Sequence, residues 1–311
     1  MTATVTGVDA YRRWQAPFDV HLDAMLGSLR RGRMDPCHHR DADGSVWRTS
    51  RMRSGPVTYR LGQPGPREIH CQVWGPGGAE LQDQLPAMLG ADDDPDGFVP
   101  GHPLVADAAR RYPGLRILRT GRVLEALVPA ILEQKVTGKE ARGEWVALVR
   151  RYGEPASGPT PRPMWVVPDA RTWLSIPSWE WHRAGVDPKR SATVVQALRV
   201  IGRLEECVAL DTDSARRRLL AVPGIGPWTA AEIAQRALGD PDAVSVGDYH
   251  LAGFVGWNLI GEKVDDDRML ELLEPWRGHR YRMIRLLELS PQAVMPPRHG
   301  PRMSIQDHRR H

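Results

Sequence analysis

The chain has 311 residues, with 42 Lys and Arg against 38 Asp and Glu and a formal net charge of +4; its length favours two or three packed units, and its mildly basic balance permits a polyanionic partner without requiring one. The three cysteines, Cys37, Cys71 and Cys207, are too scattered for a disulfide framework or a Cys-x-x-Cys metal site, which suits a reducing compartment and argues against an iron–sulfur cluster. No secretory apolar core opens the sequence and no run approaches the roughly 18–20 apolar residues that span a bilayer, so a soluble cytoplasmic protein with no membrane partner is expected.

In chain order, FDVHLDAMLGSLRRG places Phe18, Leu22, Met25, Leu26 and Leu29 at helical spacing and predicts a first helix. VWRTSRM, PVTYRLG and REIHCQVWG alternate partially between Asp-Gly, Ser-Gly-Pro and Pro-Gly-Pro breaks and read as β-strands. AELQDQLPAMLG reads as a second helix, and ADDDPDG as an exposed acidic turn that marks a boundary. Residues 1–97 should therefore form a small mixed α/β domain. From 98 to 290 one helical pattern follows another, including GRVLEALVPAILEQKVTGKEARGEWVALVRRYG as one long helical stretch. The Pro-rich EPASGPTPRPMWVVP reads as an ordered surface connection. Residues 291–311, rich in Pro, His and Arg, are expected to be disordered. The fold class is α+β.

Residues 219–250, LLAVPGIGPWTAAEIAQRALGDPDAVSVGDYH, carry the chemistry. Gly224 and Gly226 lack Cβ, so the turn between two helices can take positive φ and approach another surface closely. Pro227 begins the second helix, where a missing N–H costs little, and the free N–H groups around it form a phosphate site of the helix-N-terminal kind. The turn alone is equally well read as a tight helix connection. Asp248 likewise has two readings, a cap for the helix that follows and a carboxylate facing a sugar.

The match L-x-x-V-P-G-I-G-P-W-T-A-x(17)-D, from Leu219 to Asp248, resembles the helix-hairpin-helix DNA glycosylase superfamily. WQAPFD, MLGSL, AILEQKVT, DPKRSATVVQAL and PWRGHRYRMIRLL are similar to segments of its AlkA-type branch, which removes alkylated bases. The resemblance implies a mixed α/β N-terminal domain followed by an all-α helix-hairpin-helix glycosylase domain. It implies duplex DNA with damaged bases as partner, held by Gly224, Ile225, Gly226, Trp228, Thr229, Gln134 and Lys135. Asp248 would be the catalytic carboxylate, with Trp228, Glu232 and Ser28 around the flipped base. Bifunctional members place a Schiff-base Lys two residues after the second hairpin Gly; Trp228 stands there, which implies a monofunctional hydrolase. The competing class is a non-catalytic DNA-binding module of the same fold.

The sequence departs from the AlkA pattern at Gln134-Lys135, where a Lys follows in place of an apolar wedge, and at Ser28 and Glu232, where aromatic rings are common. Arg280, Arg282 and Arg285 are open to phosphate or solvent. No organic cofactor and no side-chain metal site is expected, although the hairpin backbone of this superfamily can hold a monovalent cation. A monomer is expected.

Overall fold

The computed structural model describes residues 9–297. Strands β1 (Ala10–Gln15), β2 (His38–Arg40), β3 (Val46–Met52), β4 (Gly55–Gly65) and β5 (Glu68–Trp74) form one antiparallel sheet in the order β1-β5-β4-β3-β2. Alternation sets its inner face: Val57, Tyr59 and Leu61 of β4 and Ile69, Cys71 and Val73 of β5 are each at most 2% exposed. Helices α1 (Leu22–Gly27) and α2 (Gly78–Met88) pack there through Leu26 and Leu85. The two edge strands were not legible in the sequence, because β2 is three residues long and β1 carries Arg12 and Arg13 at its centre beside the exposed Tyr11.

The helical part comprises α3 (Pro103–Arg111), α4 (Val123–Leu132), α5 (Gly138–Tyr152), α6 (Ala170–Ser175), α7 (Ser178–Ala184), α8 (Pro188–Arg199), α9 (Ile201–Glu205), α10 (Thr212–Leu220), α11 (Pro227–Ile233), α12 (Leu251–Ile260), α13 (Asp266–Leu273) and α14 (Arg280–Leu289). The architecture is α+β. The stretch expected as one long helix is two, α4 and α5. Thr137 and Glu140 form a reciprocal capping box that starts α5, and Lys135 just before it takes a left-handed φ of 55°.

Three further expectations change. Asp93, in the acidic turn expected to be exposed, is buried and forks onto Arg282 at 2.7 and 2.8 Å. The Pro-rich connection contains a ribbon, β6 (Glu154–Pro155) and β7 (Trp165–Val166), and lies on the sheet: Thr49 Oγ1 donates to Trp165 O, and Met164 packs with Trp47 and Trp74. Residues 291–297 are held rather than free, because the Asn258 side-chain amide pairs with both backbone groups of Val294 at 2.9 Å. Residues 298–311 lie outside the described residues.

Two apolar cores result. One joins the sheet, α1 and α2 to α3, α12, α13 and α14; the other fills the space among α4 to α11. The first core therefore runs past residue 97 to include Met283 and Leu287. The functional residues lie where the two cores meet.

One buried titrating group gives the fold a pH dependence. His38 is 3% exposed, and Arg48 Nη1 donates to its Nδ1 at 3.2 Å. Burial first, and the Arg48 charge second, hold its pKa down at about 2. The unfolded chain takes up a proton near pH 6.5 that the folded chain refuses, so stability is full above about 6.5 and falls below it. The expected loss attributable to His38 at pH 5.5 is about 1.4 kcal/mol. Denaturant titrations at pH 7.5 and 5.5 check it: His38→Asn should lose less stability between the two than the native chain.

Candidate functional site

The turn between α10 and α11 has the geometry its glycines predict, for two different reasons. Gly224 has φ +90°, and a Cβ there would stand 2.5 Å from Thr193 Oγ1 on α8. Conformation and packing both demand glycine. Gly226 is extended, at φ −94° and ψ −178°, and a Cβ there would meet nothing within 4 Å. Neither conformation nor packing demands glycine at 226.

Ile225 is buried as the anchor of the turn and Pro227 opens α11; Pro223, Gly224 and Pro227 are exposed and Gly226 is half-buried. Within the turn, Val222 O accepts Ile225 N–H, Gly226 O accepts Ala230 N–H, and Gly224 O accepts the Gln134 amide at 3.0 Å. Gln134 also donates to the buried Thr229 Oγ1 at 2.8 Å. The turn between α4 and α5 is thereby tied to the hairpin. Gln134 is committed to that tie, while Lys135 beside it is exposed and held in its left-handed conformation.

Asp248 joins both of its sequence readings. Oδ1 accepts the N–H groups of His250 and Leu251 at 2.8 and 2.9 Å, which caps the start of α12. Oδ2 accepts the indole Nε1–H of Trp228 at 3.2 Å. The carboxylate is thus fixed in rotation, with lone-pair capacity left on Oδ2. The preceding Gly247, at φ +91°, lets the chain turn into this position.

Asp248 stands on the wall of a cavity of about 370 Å³, a size in the small-ligand range. Ser28 just after α1, Glu232 from α11, His250 and Phe254 around α12, and Tyr281 from α14 share that wall. The resemblance puts Trp228 against the flipped base; here its indole N–H is bound to Asp248, which holds the ring beside that carboxylate. Glu232 is not a free anion in the pocket. Its Oε2 meets Arg236 at 2.7 Å and its Oε1 accepts Ser245 Oγ–H at 2.7 Å.

Arg236 sits in a π-helical turn, Ala234–Leu238, that continues α11, and its Nε donates to Ser28 O at 3.1 Å. Burial works against its charge, but Glu232 and Glu133 more than offset that, so the guanidinium stays firmly protonated. Arg280, Arg282 and Arg285, expected to face phosphate or solvent, are instead paired with Asp242, Asp93 and Glu288. Among the described residues no group of three or more His, Cys, Asp or Glu could hold a metal, and no helix is long and apolar enough to cross a membrane.

The sequence did not single out Arg236, Ser245 or Tyr281. A signal existed only for Arg236, which lies one helical turn after Glu232.

No family model matches the chain. Over 257 residues, 76% of this chain and 48% of the relative, it is 32% identical to a Mycobacterium tuberculosis protein named "probable bifunctional transcriptional activator/DNA repair enzyme AlkA". Over 180 residues, 56% of this chain and 59% of the relative, it is 25% identical to the DNA-3-methyladenine glycosylase of Bacillus subtilis. The chain has the helix-hairpin-helix DNA glycosylase fold and is similar in sequence to these repair proteins.

Solved structures repeat this superfamily's fold. The 3-methyladenine DNA-glycosylase of Archaeoglobus fulgidus matches with a TM-score of 0.75 at 18% identity, over 88% of this chain and 96% of that one. The 8-oxoguanine glycosylase/lyase of Clostridium acetobutylicum, in its apo-form, matches with a TM-score of 0.69 at 13% identity, over 90% and 96%. The chain spans about half the length of the curated relatives it matches, 48% and 59%.

Proposed function

We propose that the chain is a monofunctional DNA glycosylase of base-excision repair, acting on a damaged, alkylated base flipped out of duplex DNA and leaving an abasic site. The observation that carries this reading is Asp248: a carboxylate fixed by a helix start and an indole, on the wall of a cavity of ligand size, beside an open glycine turn. As the bond from C1′ to the base nitrogen breaks, positive charge develops on the sugar, and a preorganised carboxylate stabilises it. Water then bonds to C1′ and gives up a proton, while the base leaves with the bonding electron pair. A base reaches such a cavity only by leaving the stack.

Trp228 offers no amine where a lyase would need one, which supports hydrolysis without strand cutting. The alkylated substrate is supported by the name of the Bacillus subtilis relative. Gln134 locks the turn that presents Lys135, whose aliphatic stem would enter the vacated stack. A monovalent cation at the hairpin would be held by backbone carbonyls of the turn, and would act on backbone binding alone. Hairpin, carboxylate and cavity all come from one copy, which supports action as a monomer. The competing reading, a DNA-binding module without catalysis, predicts binding with no base release.

Incubation with duplexes carrying methylated bases, followed by alkaline cleavage of abasic sites, separates the two readings. Released base with no borohydride-trapped adduct is the expected result; a trapped adduct would overturn the monofunctional assignment. Gly226→Ala tests the interface separately. With space around its Cβ and an ordinary φ, the variant should keep its stability within about 0.5 kcal/mol yet bind duplex DNA about tenfold more weakly, as fluorescence anisotropy would read. Unchanged affinity would remove the hairpin from the interface.

A further inference from the structure

The cavity beside Asp248 is lined by one buried hydroxyl without a hydrogen-bond partner among the described residues. Tyr281, on α14, is only 7% exposed and lines the cavity. Among the described residues its hydroxyl makes no hydrogen bond, and it is not among the enclosed polar atoms that lack one, so it borders the cavity space. The polar groups around it are committed elsewhere. Arg285 is bound to Glu288 and to Ala24 O, Arg236 to Glu232 and Ser28 O, and Gln235 to Ala243 O and Ser245 Oγ. Buried hydroxyls in native folds are almost always satisfied, and one left open toward a cavity is free to donate to water or to a ligand atom that displaces it.

We infer that Tyr281 is a specificity-determining residue, whose hydroxyl donates a hydrogen bond to an acceptor atom on the edge of the flipped base. The inference rests on the glycosylase reading of Asp248. It narrows the substrate class to bases that bring a ring nitrogen or an oxo group to the α14 side of the cavity. Burial pushes the phenol above its ordinary range, so it keeps its proton at neutral pH and remains a donor. The pairs Arg236–Glu232 and Arg285–Glu288 cancel their own charges, and the side of the cavity around Tyr281 presents little net charge. A directed hydrogen bond is then what distinguishes one base from another of similar shape.

The test is binding of native protein and Tyr281→Phe to three duplexes. One carries hypoxanthine on an uncleavable 2′-fluoroarabinosyl sugar, one carries an indole of similar shape and no acceptor on the same sugar, and one carries a tetrahydrofuran abasic analogue. Removal of one neutral hydrogen bond should weaken the variant about tenfold on the hypoxanthine duplex, about 1.4 kcal/mol, and leave the other two affinities and the melting midpoint unchanged. An unchanged hypoxanthine affinity, an equal loss on all three duplexes, or native protein that binds hypoxanthine no better than the abasic analogue would each overturn the assignment. Because the sugar cannot be cleaved, failure of the hydrolase reading shows separately: the native protein would discriminate among these duplexes yet release no base from cleavable duplexes carrying methylated bases.

Discussion

Asp248→Asn is expected to slow base release by at least about 100-fold while leaving binding to an abasic-analogue duplex nearly intact. The magnitude is that of removing one preorganised electrostatic contact to a developing charge, about 2.7–4 kcal/mol. Asn keeps an oxygen in the Oδ1 position, where the N–H groups of His250 and Leu251 are bound, and Asn is as good a helix cap as Asp. The start of α12 should therefore survive. At Oδ2 the change sets an amide N–H₂ against the Trp228 indole N–H, so the variant loses the negative charge and that contact together. Trp228→Phe separates them: it removes the donor and retains the carboxylate, and should reduce the rate less than Asp248→Asn while the DNA affinity holds. Single-turnover base release, with binding and melting measured on the same preparations, decides. Full activity in Asp248→Asn would mean that another group stabilises the sugar.

The parts of the site that were legible in the sequence are those fixed locally. Pro-Gly-Ile-Gly states its own backbone requirement at Gly224, and an acid ahead of a helical pattern states that it can cap. Both were visible without a fold. The capping box at Thr137 and Glu140 was equally local, and reading it would have split α4 from α5. What was not legible depends on packing between distant segments. Arg282 looks like an exposed helix arginine until Asp93 is brought beside it, and the open hydroxyl of Tyr281 has meaning only once α1, α11 and α12 enclose a cavity around it. The hydrogen bond from the Trp228 indole to the catalytic candidate was likewise not legible, because twenty residues separate the two. The Arg236 that neutralises Glu232 stands one helical turn away, so that pair was local and could have been read.

Arg190→Met should destabilise the fold by about 3–5 kcal/mol, the cost of leaving a buried carboxylate without its partner. Arg190 and Glu144 are each 4% exposed at the side chain and meet through two contacts of 2.6 and 2.8 Å. The same guanidinium donates to Asp187 and to Leu132 O, the last residue of α4. Three residues further along α8, Thr193 fills the space beside Gly224. One helix thus positions both the turn that presents Lys135 and the turn that presents Gly226. Met keeps much of the Arg stem volume, so the loss should come from the stranded Glu144 rather than from a cavity. Adding Glu144→Leu should then recover a large part of it, because a buried ion pair replaced by apolar groups of similar volume is often near neutral. Urea unfolding of the two single variants and the double variant gives the coupling directly. A single-variant loss below about 1 kcal/mol would show that Glu144 finds water or another donor, and that α8 holds the two turns by packing alone.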